Sequence, residues 1–171
     1  MSSPIAFTLR PAELRDVAPI VALIRELAEF EKLTHLLQVT PEKLRPHLFG
    51  EKPVAEALVG ELAAEGLAEG ESPIVAFALF FTNFSTFLAR PGLYLEDLFV
   101  EPEHRGAGIG RDLLQKLAAI AVERECGRLE WAVLDWNEPA IRFYERLGAK
   151  PNADWTVYRL TGESLRALAG Q

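Results

Sequence analysis

Apolar positions along this chain repeat with two periods, and the switches between them divide it into strands and helices. Leu14, Val17, Ile20, Val21, Ile24, Leu27 and Ala28 form one stripe, predicting a core-facing helix over residues 14–30, with a short strand before it at 5–9. Thr40 followed by Pro41 supplies a side-chain cap and a preset φ, so residues 41–49 read as a second helix that Gly50 stops. Apolar runs at 54–62 and 74–82 read as strands, and the Ala/Glu/Gly-rich segment between them, with Gly66 and Gly70, as a solvated connection. Residues 93–100 are the next strand. Ile109, Leu113, Leu117, Ile120 and Ala121 then return to helical spacing as far as Cys126-Gly127. After a strand at 129–134, Asn137 fits as a helix cap with Pro139 in the first turn, Ala140, Phe143, Tyr144 and Leu147 share one face, and Gly148 is the stop. Residues 156–160 read as a last strand and 164–169 as a terminal helix. Strands precede, separate and follow the helices, which predicts an α+β domain: a mixed sheet with helices on both faces.

Between the strand at 93–100 and the following helix lies Glu101-Pro-Glu-His-Arg-Gly-Ala-Gly-Ile-Gly110. Glycines let a ligand approach the main chain, and the unpaired N–H groups and aligned dipoles of a helix start favour an anion, so the loop is a candidate diphosphate cradle. The Lys-Ser/Thr pair of a Walker loop is missing, because Gly110 is followed by Arg111-Asp112. A dinucleotide-binding unit would carry its glycines after the first strand, whereas these fall past the midpoint of a short chain.

Composition narrows the classes. The 171 residues are 49% hydrophobic, the size of one domain with a real core, so residues 1–171 read as a single domain. The longest apolar runs are shorter than a membrane span, and the N-terminus lacks a signal-like core, which predicts a cytoplasmic protein with no membrane partner. A net charge of −7 disfavours nucleic acid and suits cationic ligands such as amines, although acidity also serves plain solubility. The one cysteine, Cys126, has no partner for an internal disulfide, and His35, His47 and His104 show no metal-ligand spacing, so no metal is expected.

The spacing Arg105-x-x-Gly108-x-Gly110 after a strand resembles the acyl-coenzyme A loop of the GNAT superfamily of N-acetyltransferases. Tyr94-Leu-Glu-Asp-Leu-Phe-Val100 and Trp136-Asn-Glu-Pro-Ala-Ile-Arg-Phe-Tyr-Glu-Arg-Leu-Gly-Ala149 are similar to stretches of its diamine branch, the spermidine/spermine N-acetyltransferases and their thialysine-acetylating relatives. Phe7-Thr-Leu-Arg-Pro-Ala12 and Ile24-Arg-Glu-Leu-Ala-Glu-Phe-Glu31 resemble the family's first strand and first helix, so the likeness covers nearly the whole chain. It implies the GNAT fold, with a mixed and mostly antiparallel central sheet whose strands before and after the loop helix splay apart. It also implies acetyl-CoA as cosubstrate, a small primary amine as acceptor and a homodimer.

Residue by residue, the resemblance implies that acetyl-CoA is bound by Leu98, Phe99 and Val100 along its pantetheine arm, by Arg105, Gly106, Ala107, Gly108, Ile109, Gly110 and Arg111 at its diphosphate, and by Asn137 and Tyr144. Transfer to an amine needs a proton acceptor and a proton for the departing thiolate; Glu96 is the implied base and Tyr144 the implied acid. Adjacent strand residues point to opposite faces, so Glu96 and Asp97 cannot both face the thioester without a bulge. Phe30, Glu31, Glu96 and Trp131 are the implied acceptor contacts, with Phe30 where tyrosine is usual. After Gly148 the family's acidic loop is reduced to a segment with Asp154 alone, which favours a short diamine or lysine-like amine over a long polycation. His104 is the reserve base, and Cys126 reads as a structural thiol. A peptide or protein N-acetyltransferase and a noncatalytic acyl-CoA sensor remain as alternatives.

Overall fold

The computed structural model describes residues 6–63 and 72–171, so Ile5 and the connection with Gly66 and Gly70 lie outside the described residues. The chain divides into two compact units, one ending at Ala132 and the other beginning at Val133.

The first unit is built on one sheet in the order β1 (Phe7–Pro11), β2 (Glu56–Leu62), β3 (Ile74–Ser85), β4 (Arg90–Val100), β5 (Leu129–Trp131). The first three pairings are antiparallel and the last is parallel, giving the mixed, mostly antiparallel sheet that the sequence predicts. β3 and β4 exceed their predicted lengths because Pro91 and Gly92, which lie ahead of the predicted strand, pair with Phe84 and Asn83 inside the hairpin. Pairing to an already formed strand overrides their local preference.

Helices cover both faces. Val17, Ile20, Val21 and Leu23 of α1 (Val17–Phe30) and Leu44 and Leu48 of α2 (Pro41–Phe49) cluster with Ala57, Val59, Phe77 and Phe99 of the sheet. Neighbouring strand residues point to opposite faces, and at Gly60, next to Val59, a Cβ would stand 3.2 Å from Ile109 Cγ2 of α3 (Ile109–Glu123). Thus α3 lies across the sheet from α1. Gly60 is the close-approach point that lets the start of α3 settle there.

Locally, the predicted first helix begins with a 3-10 turn, Leu14–Asp16, before α1 proper. Asp16 explains the break: its carboxylate accepts from the Glu13 N–H at 2.7 Å and from Arg10 at 2.6 and 3.0 Å, while Arg10 also donates to Glu61 at 2.6 Å. The α2 cap is as expected, with Lys43 N–H donating to Thr40 Oγ1 at 3.3 Å.

In the second unit, α4 (Glu138–Arg146) starts on Asn137, whose Oδ1 accepts from the Ala140 N–H at 3.4 Å. It stops at Gly148, with φ +90°, where Ala149 N–H reaches back to Tyr144 O at 3.1 Å. α5 (Gly162–Leu168) takes the place of the predicted terminal helix. The strand predicted over residues 156–160 does not form. A helix closes its own hydrogen bonds, whereas a strand exists only where a partner strand accepts its ladder, and this segment has none among the described residues.

Candidate active site

At the glycine loop, Gly106 and Gly108 sit in the left-handed region at φ +82° and +95°, and a Cβ on either would meet nothing within 4 Å. The loop is therefore open toward solvent where its backbone is least hindered. Gly108 caps α3, and the first helical bond runs from Asp112 N–H to Gly108 O at 3.0 Å, leaving the N–H groups of Ile109, Gly110 and Arg111 without a helical acceptor. Gly110 packs this turn on the end of β4, its Cβ position lying 3.7 Å from Val100 Cγ2 and 3.8 Å from Leu98 Cδ2. An open arc of main-chain donors at a helix start fits a diphosphate.

Beside it the sheet changes its pairing. β5 follows β4 only from Leu93↔Leu129 to Leu95↔Trp131, and β4 then runs on to Val100. Across β3, Leu79 faces Asp97 and Phe80 faces Leu95, so Glu96 is the extra residue of a β-bulge. The condition the sequence set for using both carboxyls is met. Asp97 lies two residues before Phe99, which packs in the α1-side core, whereas Glu96 is exposed. Burial first, and then the nearby charges of Glu96 and Glu31, push the Asp97 carboxyl up to about 6. Burial also raises Glu31, the residue that follows α1. Phe30, Glu31, Glu96, Asp97 and Trp131 thus belong to one unit, with the three acids electrostatically coupled through Asp97. Sequence reasoning chose Glu96 over Asp97 because strict alternation sets adjacent residues on opposite faces; the signal for Asp97 was an acidic pair inside an otherwise apolar run.

Residues 25–149 match the model of the Acetyltransferase (GNAT) family. The chain belongs to the GNAT acetyltransferases. Members of the family use acetyl-CoA as cosubstrate. Among its relatives, a thialysine N-epsilon-acetyltransferase from Mus musculus is 41% identical over 95% of this chain and 97% of its own length. An L-ornithine N5-acetyltransferase from Arabidopsis thaliana is 34% identical over 94% of this chain and 86% of its own. An integron cassette protein from the V. cholerae mobile metagenome shares the fold, with a TM-score of 0.76 at 24% identity over 98% of this chain and 99% of that one.

Other residues of this GNAT chain fall as follows. Arg105 is exposed and lies against the protein, with Nε donating to Val100 O at 2.9 Å and Cζ 5.3 Å from the ring centres of both Phe30 and Phe99. His104 closes a 3-10 turn, its Nε2 3.6 Å from Glu101 Oε2 and its buried Nδ1 without a hydrogen-bond partner among the described residues. Cys126 follows α3 and is half-buried, its N–H donating to Ala121 O at 2.8 Å. Asn137 and Tyr144 belong to the second unit, Asn137 as the α4 cap and Tyr144 on α4, ring to ring with Phe143 at 5.4 Å. The described residues hold no cluster of three or more metal-ligating side chains, and no described helix is long and apolar enough to cross a membrane.

Proposed function

We propose that this acetyltransferase moves the acetyl group of acetyl-CoA to a primary amine of a short diamine or diamino acid, in one domain spanning both units. The observation that carries this reading is the acidic set of Glu96 and Asp97, on the bulge just beyond the β4–β5 pairing, and Glu31 at the end of α1, whose charge acts on Asp97. The family match crosses the boundary between the units, which supports one functional domain. Relatives named for thialysine and L-ornithine acetylation support an acceptor with two amino groups.

In this reading the amides from Gly106 to Arg111 hold the diphosphate, and residues 98–100 of β4 pair with the pantetheine arm as an added strand would. Glu96, exposed on its bulge, accepts a proton from the incoming ammonium, directly or through water. The freed nitrogen attacks the thioester carbonyl, the carbon–sulfur bond breaks, the Tyr144 phenol protonates the departing thiolate, and the proton that the acylated nitrogen sheds restores the phenol by way of water. Glu31 and Asp97 receive the acceptor's second ammonium, whose charge favours the Asp97 carboxylate over its neutral form. Phe30 and Trp131 flank the acceptor, and Asn137 contacts the cosubstrate. A homodimer is the assembly that the family resemblance supports.

A thiol-release assay with acetyl-CoA against putrescine, spermidine, lysine, thialysine, ornithine and a short peptide tests the proposal. The expected result is preference for a short acceptor with two amines. Preference for the peptide, or acetyl-CoA binding with no turnover of any amine, would overturn it.

A further inference from the structure

Arg105 opens the glycine loop, and its exposed side chain reaches two aromatic rings and a main-chain carbonyl. The guanidinium lies between two aromatic rings, 5.3 Å from the centre of Phe30 and 5.3 Å from that of Phe99, while Nε is fixed on the carbonyl of Val100 at 2.9 Å. Its own N–H donates to Pro102 O at 3.3 Å. Each ring adjoins an acid in the chain: Phe30 is followed by Glu31, and Phe99 stands two residues beyond Asp97. Phe99 is core, at 4% exposure, and needs no further support. Phe30 is 42% exposed at the last position of α1.

We infer that Arg105 is a positioning residue of the acceptor site rather than a ligand of the cosubstrate's phosphates. A flat cation with two faces joins an exposed ring to a buried one, and its hydrogen bond to Val100 ties both to the end of β4. The face of Phe30, and with it the start of the segment carrying Glu31, is thereby held against the strand carrying Asp97. An ammonium on a flexible stem keeps the charge but offers no plane, so lysine cannot bridge two rings in this way. This inference rests on the assignment of Phe30, Glu31 and Asp97 to the acceptor.

The test separates the two substrates. With the best amine from the panel above, Arg105→Lys and Phe30→Leu are each expected to raise the KM for amine about five- to tenfold, the KM for acetyl-CoA and kcat staying within about twofold. Phe30→Tyr keeps an aromatic face and is expected to raise the KM for amine less than Phe30→Leu does. The Arg105→Lys/Phe30→Leu double variant is expected to resemble either single one, since both lose the same contact. Multiplied effects in the double variant, a raised KM for acetyl-CoA, or a loss confined to kcat would overturn the inference. Calorimetry of acetyl-CoA binding by Arg105→Met decides the matter even where no amine is turned over. Unchanged affinity supports the inference, and a loss of tenfold or more assigns the guanidinium to the diphosphate and overturns it. Absence of acetyl-CoA binding in the parent protein would overturn the proposed function instead.

Discussion

Glu96 and Asp97 are neighbours on β4 that stand in different relations to β3: Asp97 lies opposite Leu79, whereas Glu96 bulges out unpaired before Leu95 meets Phe80. The bulge divides two chemically similar groups into an exposed carboxylate and a half-buried one. An exposed carboxylate is open to an incoming ammonium. A half-buried one beside other acids gains from a cation.

That division predicts a stability signature for Asp97. Its carboxyl titrates near 3.8 when unfolded and at about 6 when folded, because burial and the charges of Glu96 and Glu31 oppose its ionisation. Between these values the folded state binds more protons, so its stability falls as pH rises from about 4 through about 6 and stays reduced above. Asp97→Asn removes the penalty and is expected to stabilise the protein at pH 8 by up to about 3 kcal/mol, and by little at pH 4. Paired thermal melts of the two proteins at both pH values check this; an equal gain at the two would remove the assignment. The same substitution is expected to raise the KM for amine.

The two proposed proton-transfer groups are distinguished kinetically. Glu96→Gln is expected to lower kcat about a hundredfold near neutral pH, with partial recovery at high pH as free amine accumulates. Tyr144→Phe slows thiolate departure and is expected to lower kcat while changing acetyl-CoA affinity by no more than about twofold. Steady-state profiles from pH 6 to 10, with calorimetry for acetyl-CoA, separate them. Parent-like activity in both variants would leave the acid-base scheme without support.

How much of this was legible in the sequence depended on how local each feature is. The Thr40 and Asn137 caps, the Gly148 stop and the glycine-rich start of α3 are decided within a few residues, and each stands where its sequence signal placed it. The bulge at Glu96 is a relation between β3 and β4, and the period of one strand carries no record of a register shift against another. Residues 156–160 show the converse: strong strand-forming side chains, with no ladder for them to join among the described residues. The place of Arg105 between Phe30 and Phe99 requires the end of α1 and the end of β4 to meet, and no spacing rule brings residues 30, 99 and 105 together.

Gly108→Ala tests the loop with little disturbance to the fold. At φ +95° an added Cβ meets no protein atom within 4 Å, so the folded chain bears only the backbone strain, about 1–2 kcal/mol. The methyl group would occupy the open side of the main-chain arc where the diphosphate is proposed to lie. Acetyl-CoA affinity is expected to fall tenfold or more while the melting temperature drops by only a few degrees. A variant with full acetyl-CoA affinity would place the diphosphate elsewhere.

Gly60→Ala tests whether the sheet itself sets the height of that loop. Gly60 lies opposite Ala76 in β2–β3 pairing, and an added Cβ would stand 3.1 Å from Ala76 Cβ, 3.2 Å from Ile109 Cγ2 and 3.5 Å from Leu9 Cδ2. Ala76 is held by the ladder, so the group able to yield is Ile109, the first residue of α3. Raising it tilts the helix start whose free N–H groups are proposed to hold the diphosphate. Overpacking of this size costs about 1–3 kcal/mol, and the substitution is expected to lower both the melting temperature and acetyl-CoA affinity. Ile109→Ala in the same chain removes the Cγ2 methyl that the added Cβ meets, and is expected to cost less of both in the Gly60→Ala chain than in the parent, a partial rescue. Calorimetry and thermal melts on the two single variants and the double variant measure that rescue. Strictly additive losses would show that the Gly60 side of the sheet and the cosubstrate loop are not mechanically connected through Ile109.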